Sequence, residues 1–349
     1  MKVLITHELF PPEMRGGGEL IAFEAAKGLQ RRGLDVNVLT SGYAGDSPVD
    51  GVPVKRLRIS RYLMNLAAPS IERHAQSADV IQTFNYHACL PSLRAARRLG
   101  RPVVCVALGL FGAEWRRMRP FPAGHCWQAF ERHQLESDFD SVVFLSEYSL
   151  EQALESGIRP KNPAVLNPGI EQGRFRPLPK RDAVLFTGKF DNRKGVFEVL
   201  KVARALPSAE FWLYGWGPEE AELRRQAPPN AKVITYSDTR AAELPELAGQ
   251  AHICLLPSKA ETFGLALIQA MAAGCAIVSS IPLPFEGFHV APEDTSAMIG
   301  AVQDLLADPE RCRRAQQRNV ELASEYTWDR FAMGLETIYH QLLNRTSRA

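Results

Sequence analysis

The chain has almost no excess charge: 41 Lys and Arg stand against 39 Asp and Glu in 349 residues, a formal net charge of +2. Without a global field there is no electrostatic case for nucleic acid, and any anion site must be local. Long apolar runs are also missing, with nothing near the roughly 18 uninterrupted apolar residues of a spanning helix. The opening Met1-Lys2-Val3-Leu4-Ile5-Thr6-His7-Glu8 turns polar after one short run, so the expectation is an unexported, cytoplasmic protein. Cysteine is sparse, at positions 89, 105, 126, 254, 275 and 312, and forms no C-x-x-C pair. That spacing argues against zinc ligands and a disulfide framework. The cysteines read as buried small hydrophobes in a reducing compartment.

What the chain does have is a regular alternation of short apolar runs and amphipathic stretches. Lys2–Thr6 reads as a strand, Gly16-Gly17-Gly18 closes the following loop, a helix runs from Glu19 to about Arg32, and a strand follows at Asp35–Thr40. On that helix Ile21, Ala22, Ala25, Ala26 and Leu29 share one face, with Glu24, Lys27 and Arg31 opposite. The same opening recurs at Ala183–Thr187, with a loop Gly188–Gly195, a helix from Val196 to about Leu206 and a strand Glu210–Tyr214. Apolar runs at Val80–Gln82, Val103–Val106, Val142–Leu145, Val233–Tyr236, Ile253–Leu256 and Ala276–Ser279 complete the rhythm of parallel sheets covered by helices on both faces. At 46% hydrophobic residues the chain can fill two cores. The proline-rich stretch Arg159–Pro179, which can carry neither a helix nor a central strand, separates them. Near the end, Trp328, Phe331, Leu335, Ile338, Tyr339 and Leu342 form one apolar stripe of a last helix.

Candidate chemistry concentrates in a few stretches. Glu261 is an exposed acid ahead of a helix in which, from Phe263 to Ala273, only Gln269 is polar. Such a helix should be buried on nearly every face, and a buried amide needs hydrogen-bond partners, which a ligand can supply. Eight helical positions span at most about 12 Å, and the helix start offers N–H groups and partial positive charge to a diphosphate. The alternative is that Gln269 bonds neighbouring backbone and Glu261 is solvated. Lys189 and Lys194 flank a loop at the carboxyl end of a strand, where α/β sheets bind ligands; they neutralise a diphosphate there or are simply solvated. Gly16-Gly17-Gly18 lets backbone N–H groups approach a phosphate. It lacks the spacing of a dinucleotide fingerprint, and Thr40-Ser41 stands where that fingerprint needs an acid, which disfavours a dinucleotide-dependent enzyme. Asp138-Phe-Asp140 precedes its strand, the wrong end of the sheet for a metal site.

Pro257-Ser-Lys-Ala-Glu261-Thr-Phe263-Gly-Leu, followed by Ala270-Met-Ala-Ala-Gly274, resembles the Glu-x7-Glu signature of family 4 retaining glycosyltransferases of the GT-B fold, written here Glu261-x7-Gln269. Pro11-Pro12 with Gly16–Gly18, Gly188-Lys189 with Lys194-Gly195, and Tyr214-Gly-Trp-Gly-Pro218 resemble motifs of the same family. The resemblance implies an α/β protein of two Rossmann-like domains with parallel sheets facing across a cleft: 1–170 for the acceptor, joined by a C-terminal helix 326–349, and 180–325 for the nucleotide sugar. It implies a hexosyltransferase moving a sugar from a nucleoside diphosphate sugar to an acceptor hydroxyl with retention, in polysaccharide, glycolipid or glycoside biosynthesis. No metal and no cofactor beyond that co-substrate are implied. Lys189 and Lys194 then hold the diphosphate, Glu261 positions the sugar hydroxyls and Gln269 meets the ribose. Backbone at Gly16, Gly17, Gly18, Phe263, Gly264 and Leu265 completes the cradle.

Departures from the family pattern bear on activity. Gln269 replaces the second acid, and Leu108 stands where the family carries the histidine of H-G-x-F beside the transferred sugar. His7 and His87 are candidates to replace that contact, although each lone histidine reads as a surface residue. Lys189 in an arginine position fixes phosphate geometry less tightly. A GT-B binding or regulatory protein that has lost activity therefore stays open as an alternative. Phe111–Phe121 mixes Arg116, Arg117 and Arg119 with Trp115 and two phenylalanines. That mixture suits peripheral contact with the inner face of a membrane, or else a solvated surface with packed aromatics. The expected partners are a nucleotide sugar donor and a sugar or lipid-linked acceptor, and not nucleic acid.

Overall fold

The computed structural model describes residues 1–14, 16–171, 173–235 and 243–346. Tyr236, expected to end a strand, lies outside them. The chain forms two compact units, Met1–Gly169 with Trp328–Ala349, and Ile170–Thr327.

The first unit contains β1 (Lys2–His7), β2 (Asp35–Ser41), β3 (Val54–Leu57), β4 (Val80–Phe84), β5 (Val103–Ala107), β6 (Ser141–Phe144) and β7 (Pro163–Val165). They lie in the order β3-β2-β1-β4-β5-β6-β7, and neighbouring strands are parallel. The second unit contains β8 (Arg181–Lys189), β9 (Glu210–Trp216), β10 (Ala231–Thr235), β11 (Ala251–Leu256), β12 (Ala276–Ser279) and β13 (Gly287–His289). Their order is β10-β9-β8-β11-β12-β13, again parallel. Every residue of β4 and β5 is buried. Helices on both faces therefore ask for continuous apolar runs rather than alternation. The strands absent from the sequence reading, β3, β7 and β13, are short and sit at sheet edges, where less burial is required. Pro163 opens β7, a position an edge strand tolerates.

The helix Gly17–Arg31 buries Ile21, Ala22, Ala25, Ala26 and Leu29, but also Glu24, which the periodicity places outward. This helix is covered from a second side by the helix Trp328–Thr346, held by Arg32 Nε to Glu336 at 2.5 Å. The Tyr339 hydroxyl of that last helix donates to the Gln82 side-chain oxygen in β4. In both sheets the strand order reverses once, between β1 and β4 and between β8 and β11. The carboxyl ends of those pairs are where open α/β sheets form a ligand crevice.

Candidate active site

In the second unit the loops that follow β8 and β11 run side by side, because their strands are neighbours at the reversal. Gly195 allows the close approach: its φ is +70°, and a Cβ there would lie 2.2 Å from the Pro257 carbonyl oxygen. The Lys259 N–H donates to the Arg193 carbonyl at 2.7 Å. Asp191, three residues before Lys194, accepts that residue's N–H at 3.2 Å. Across the joined loops the Lys194 ammonium pairs with Glu261 Oε2, their side chains 17% and 19% exposed. Glu261 is thus a half-buried partner in an ion pair rather than the exposed acid expected, since two loops far apart in sequence close over it. Lys189 is exposed at the end of β8, its ammonium 5.4 Å from the centre of the Trp216 ring. Lys259, to which the sequence reading gave no role, is 3.0 Å from Glu293 and ties the loop down.

Gly264, at φ +99°, turns the chain into the helix Leu265–Ala272. No side chain caps this helix start; the Leu267 N–H turns back to the Gly264 carbonyl at 2.9 Å, while among the described residues the N–H groups of Leu265 and Ala266 stay open. Phe263 is buried beside it, edge-on to Tyr326 at 5.6 Å. The expectation of burial on nearly every face needs correction. The helix packs on β11, β12 and the helix Pro309–Ala323, while Leu265, Ala266 and Gln269 form a half-exposed face. Among the described residues the Gln269 amide meets no hydrogen-bond partner. Lys194, Glu261 and the helix start therefore belong to the same pair of loops, with the Gln269 amide on the open side of the helix.

In the first unit Gly16 caps the helix Gly17–Arg31 with extended backbone and no side-chain hydrogen bond. The helix begins at Gly17 rather than Glu19, and Gly16 and Gly17 are exposed. Leu108 packs against this start, its Cδ1 3.1 Å from where a Cβ on Gly18 would stand. The loop Leu108–Gly112 after β5 is held by two residues that no pattern singled out. Asn85 Oδ1 accepts the N–H groups of Leu108 at 2.8 Å and Gly109 at 3.3 Å, and its Nδ2 donates to the Gly109 carbonyl at 2.7 Å. The buried Glu131 carboxylate accepts from the Phe111 N–H at 3.1 Å, the Gly112 N–H at 2.8 Å, the Trp115 indole at 2.9 Å and the Tyr86 hydroxyl at 3.0 Å. Burial pushes its carboxyl above the ordinary value against those hydrogen bonds.

Other expectations are corrected in this unit. His7 and His87 are buried, not surface residues. His7 Nδ1 accepts the Leu9 N–H at 3.0 Å, and His87 pairs with Asn65 at 2.9 Å, with burial lowering its pKa. His7 ends the buried strand β1 and His87 lies on the turn that follows β4, which is what encloses them. Cys126 is exposed, whereas the other cysteines are buried. Trp115 is buried on Glu131 and is no part of a surface. Asp140 accepts from the Val103 N–H at 2.9 Å and Arg97 at 3.0 Å, tying strand starts together. Among the described residues no group of three His, Cys, Asp or Glu is placed to hold a metal ion, and no helix is long and apolar enough to cross a membrane.

Residues 16–169 match the family model for the glycosyl transferase 4-like domain, and residues 181–308 that for glycosyl transferases group 1. The chain is 27% identical over 384 aligned positions to the GDP-mannose:cellobiosyl-diphosphopolyprenol alpha-mannosyltransferase of Komagataeibacter xylinus, covering 99% of this chain and 94% of that protein. Among solved structures it is similar to sucrose-phosphate synthase from Thermosynechococcus elongatus, with TM-score 0.83, 18% identity and 99% of both chains covered. It is also similar to Anabaena HepE in complex with UDP-glucose, with TM-score 0.76, 16% identity and 100% of both chains covered.

Proposed function

The chain belongs to the glycosyltransferases of the GT-B fold, with a 4-like domain in its first unit and a group 1 domain in its second, and from that membership we propose retaining transfer of a hexosyl group from a nucleoside diphosphate sugar to an acceptor hydroxyl. The observation that carries this reading is the Lys194–Glu261 pair beside an uncapped helix start, at the carboxyl ends of β8 and β11. In the free protein each partner neutralises the other. An entering diphosphate offers Lys194 a stronger partner and releases Glu261 to accept hydrogen bonds from the sugar hydroxyls, which orients the anomeric carbon. As the glycosidic bond to the diphosphate breaks, charge grows on the leaving oxygen. Lys189, Lys194 and the backbone N–H groups around Phe263, Gly264 and Leu265 stabilise it, with no metal and no other cofactor.

Gln269, unpartnered on the open face of the helix, meets the ribose. The helix start at Gly16, Gly17 and Gly18 offers a second set of N–H groups suited to an anionic group. Retention follows from the family resemblance carried by Glu261-x7-Gln269. The names of similar proteins make GDP-mannose and UDP-glucose the first donors to try. We place the protein in the cytoplasm, acting on a sugar or lipid-linked acceptor. Turnover with those donors tests the proposal: transfer by the native chain, lost in Glu261→Ala, supports it. Tight nucleotide binding with no transfer to any acceptor favours instead the binding-protein alternative raised by Leu108 and Gln269.

A further inference from the structure

Among the described residues every exposed large apolar side chain belongs to the first unit, and most follow the carboxyl ends of its strands. Two groups of them stand out. After β3, the short 3-10 helix Arg61–Leu66 presents Tyr62, Leu63 and Leu66, the last 75% exposed. After β5, the end of the helix Glu114–Met118 and the turn beyond it present Met118 and Phe121, the latter 82% exposed.

The two groups are physically joined. Tyr62 meets the His87 ring at 5.2 Å, His87 meets Trp127 at 5.9 Å, and Trp127 stacks on Trp115 at 5.2 Å. Trp115 belongs to the same short helix as Met118, so a rigid aromatic row spans the gap. Charge follows the same band. Arg116 and Arg119 are exposed, and among the described residues neither has a carboxylate within ion-pair distance, whereas Arg117 is paired with Glu114 at 2.7 Å and Arg58 acts on Asp46. Apolar tips standing clear of the surface and flanked by unpaired guanidinium groups are complementary to an acyl region beneath a layer of negative headgroups. Exposed apolar side chains alone suit a protein partner or a membrane; the exposed arginines beside Met118 and Phe121 favour a surface that presents phosphates above an apolar layer.

We propose that this band of the first unit, from Tyr62–Leu66 to Met118–Phe121, is a docking surface for an anionic lipid bilayer. The contact is peripheral: Leu63, Leu66, Met118 and Phe121 enter the headgroup boundary while the arginines pair with lipid phosphates. The full chain, without any sugar donor, is sedimented with vesicles of phosphatidylcholine alone and of phosphatidylcholine with phosphatidylglycerol, at low and high salt. The native chain should pellet with the anionic vesicles only, and less at high salt. Arg116→Gln with Arg119→Gln should weaken partitioning by roughly 25-fold, at about 1 kcal/mol per basic residue near the surface, with the melting temperature unchanged. Leu66→Ser with Phe121→Ser should reduce binding even at low salt. No binding to anionic vesicles at low salt overturns the proposal, as does binding that both double variants retain, which would put the contact elsewhere. Because no donor is present, the outcome is independent of whether the chain transfers sugar.

Discussion

At the scale of single residues, Gln269 and Glu261 separate binding from transfer. A hydrogen bond to a charged acceptor contributes roughly 1.5–3 kcal/mol and a neutral one about 0.5–1.5. Gln269→Glu should therefore keep the fold and tighten nucleoside diphosphate binding by roughly five- to tenfold, read by calorimetric titration. Loss of stability with unchanged nucleotide affinity would make Gln269 a packing residue and remove the ribose assignment. Glu261→Ala should abolish transfer yet leave nucleotide affinity intact or raised, since Lys194 loses its internal partner. A large fall in affinity would mean that Glu261 holds the nucleotide itself. The acid and the amide could be picked out in the sequence by their spacing, Glu261 in the loop and Gln269 in the helix that follows it. Their surroundings were less so: the partner of Glu261 lies 67 residues away on another loop, and no local pattern records such a contact. The openness of Gln269 was equally hidden, because composition alone makes Leu265–Ala272 look buried all round.

At the scale of elements, the site depends on loops closing against each other. Gly195→Ala would force a Cβ to 2.2 Å from the Pro257 carbonyl oxygen at a φ of +70°. It should cost roughly 2 kcal/mol or more and weaken nucleotide binding together with stability, read by denaturant unfolding and titration on the same variant. In the first unit the corresponding brace is Glu131. Its amide variant Glu131→Gln would turn an NH2 toward the Phe111 and Gly112 N–H groups and should destabilise by about 1–3 kcal/mol. The pH dependence has a definite sign. Burial raises the folded-state pKa above the ordinary 4.5, so between the two values the folded protein binds more protons and the group's contribution to stability falls as pH rises. The stability gap between the native chain and Glu131→Gln should therefore be widest below pH 4.5 and narrow above it; a gap that widens with pH would contradict the assignment. The central strands could be read in advance because burial on both faces writes unbroken apolar runs such as Val103–Val106. Asn85 and Glu131 could not, because a lone polar residue acquires its meaning only from the loop folded onto it.

At the scale of the whole molecule, the first unit is discontinuous: Trp328–Thr346 returns to it after the second unit is complete, through Arg32–Glu336 and Tyr339–Gln82. A ligand for the second unit is then read out in the melting of a chain whose two ends lie in the other unit. A nucleoside diphosphate at 100 times its Kd adds about 2.7 kcal/mol by mass action, and a domain of 150–250 residues gains roughly 2–4 °C per kcal/mol. The expected rise is therefore about 5–10 °C, and it should appear with chelator present, because the lysines and the helix start supply the positive charge that a metal would otherwise bring. Lys194→Ala removes one charge-assisted contact of roughly 1.5–3 kcal/mol, a loss of about 10- to 150-fold in affinity. At the same ligand concentration the shift should then fall to between about half and about a tenth of its native size. Hydrogen exchange on the same samples should show protection by the nucleotide at 188–195 and 257–269 in the native chain, lost in Lys194→Ala. A shift that strictly requires a divalent cation, or one that survives Lys194→Ala at full size, would mean that the diphosphate is held by groups other than the loops after β8 and β11.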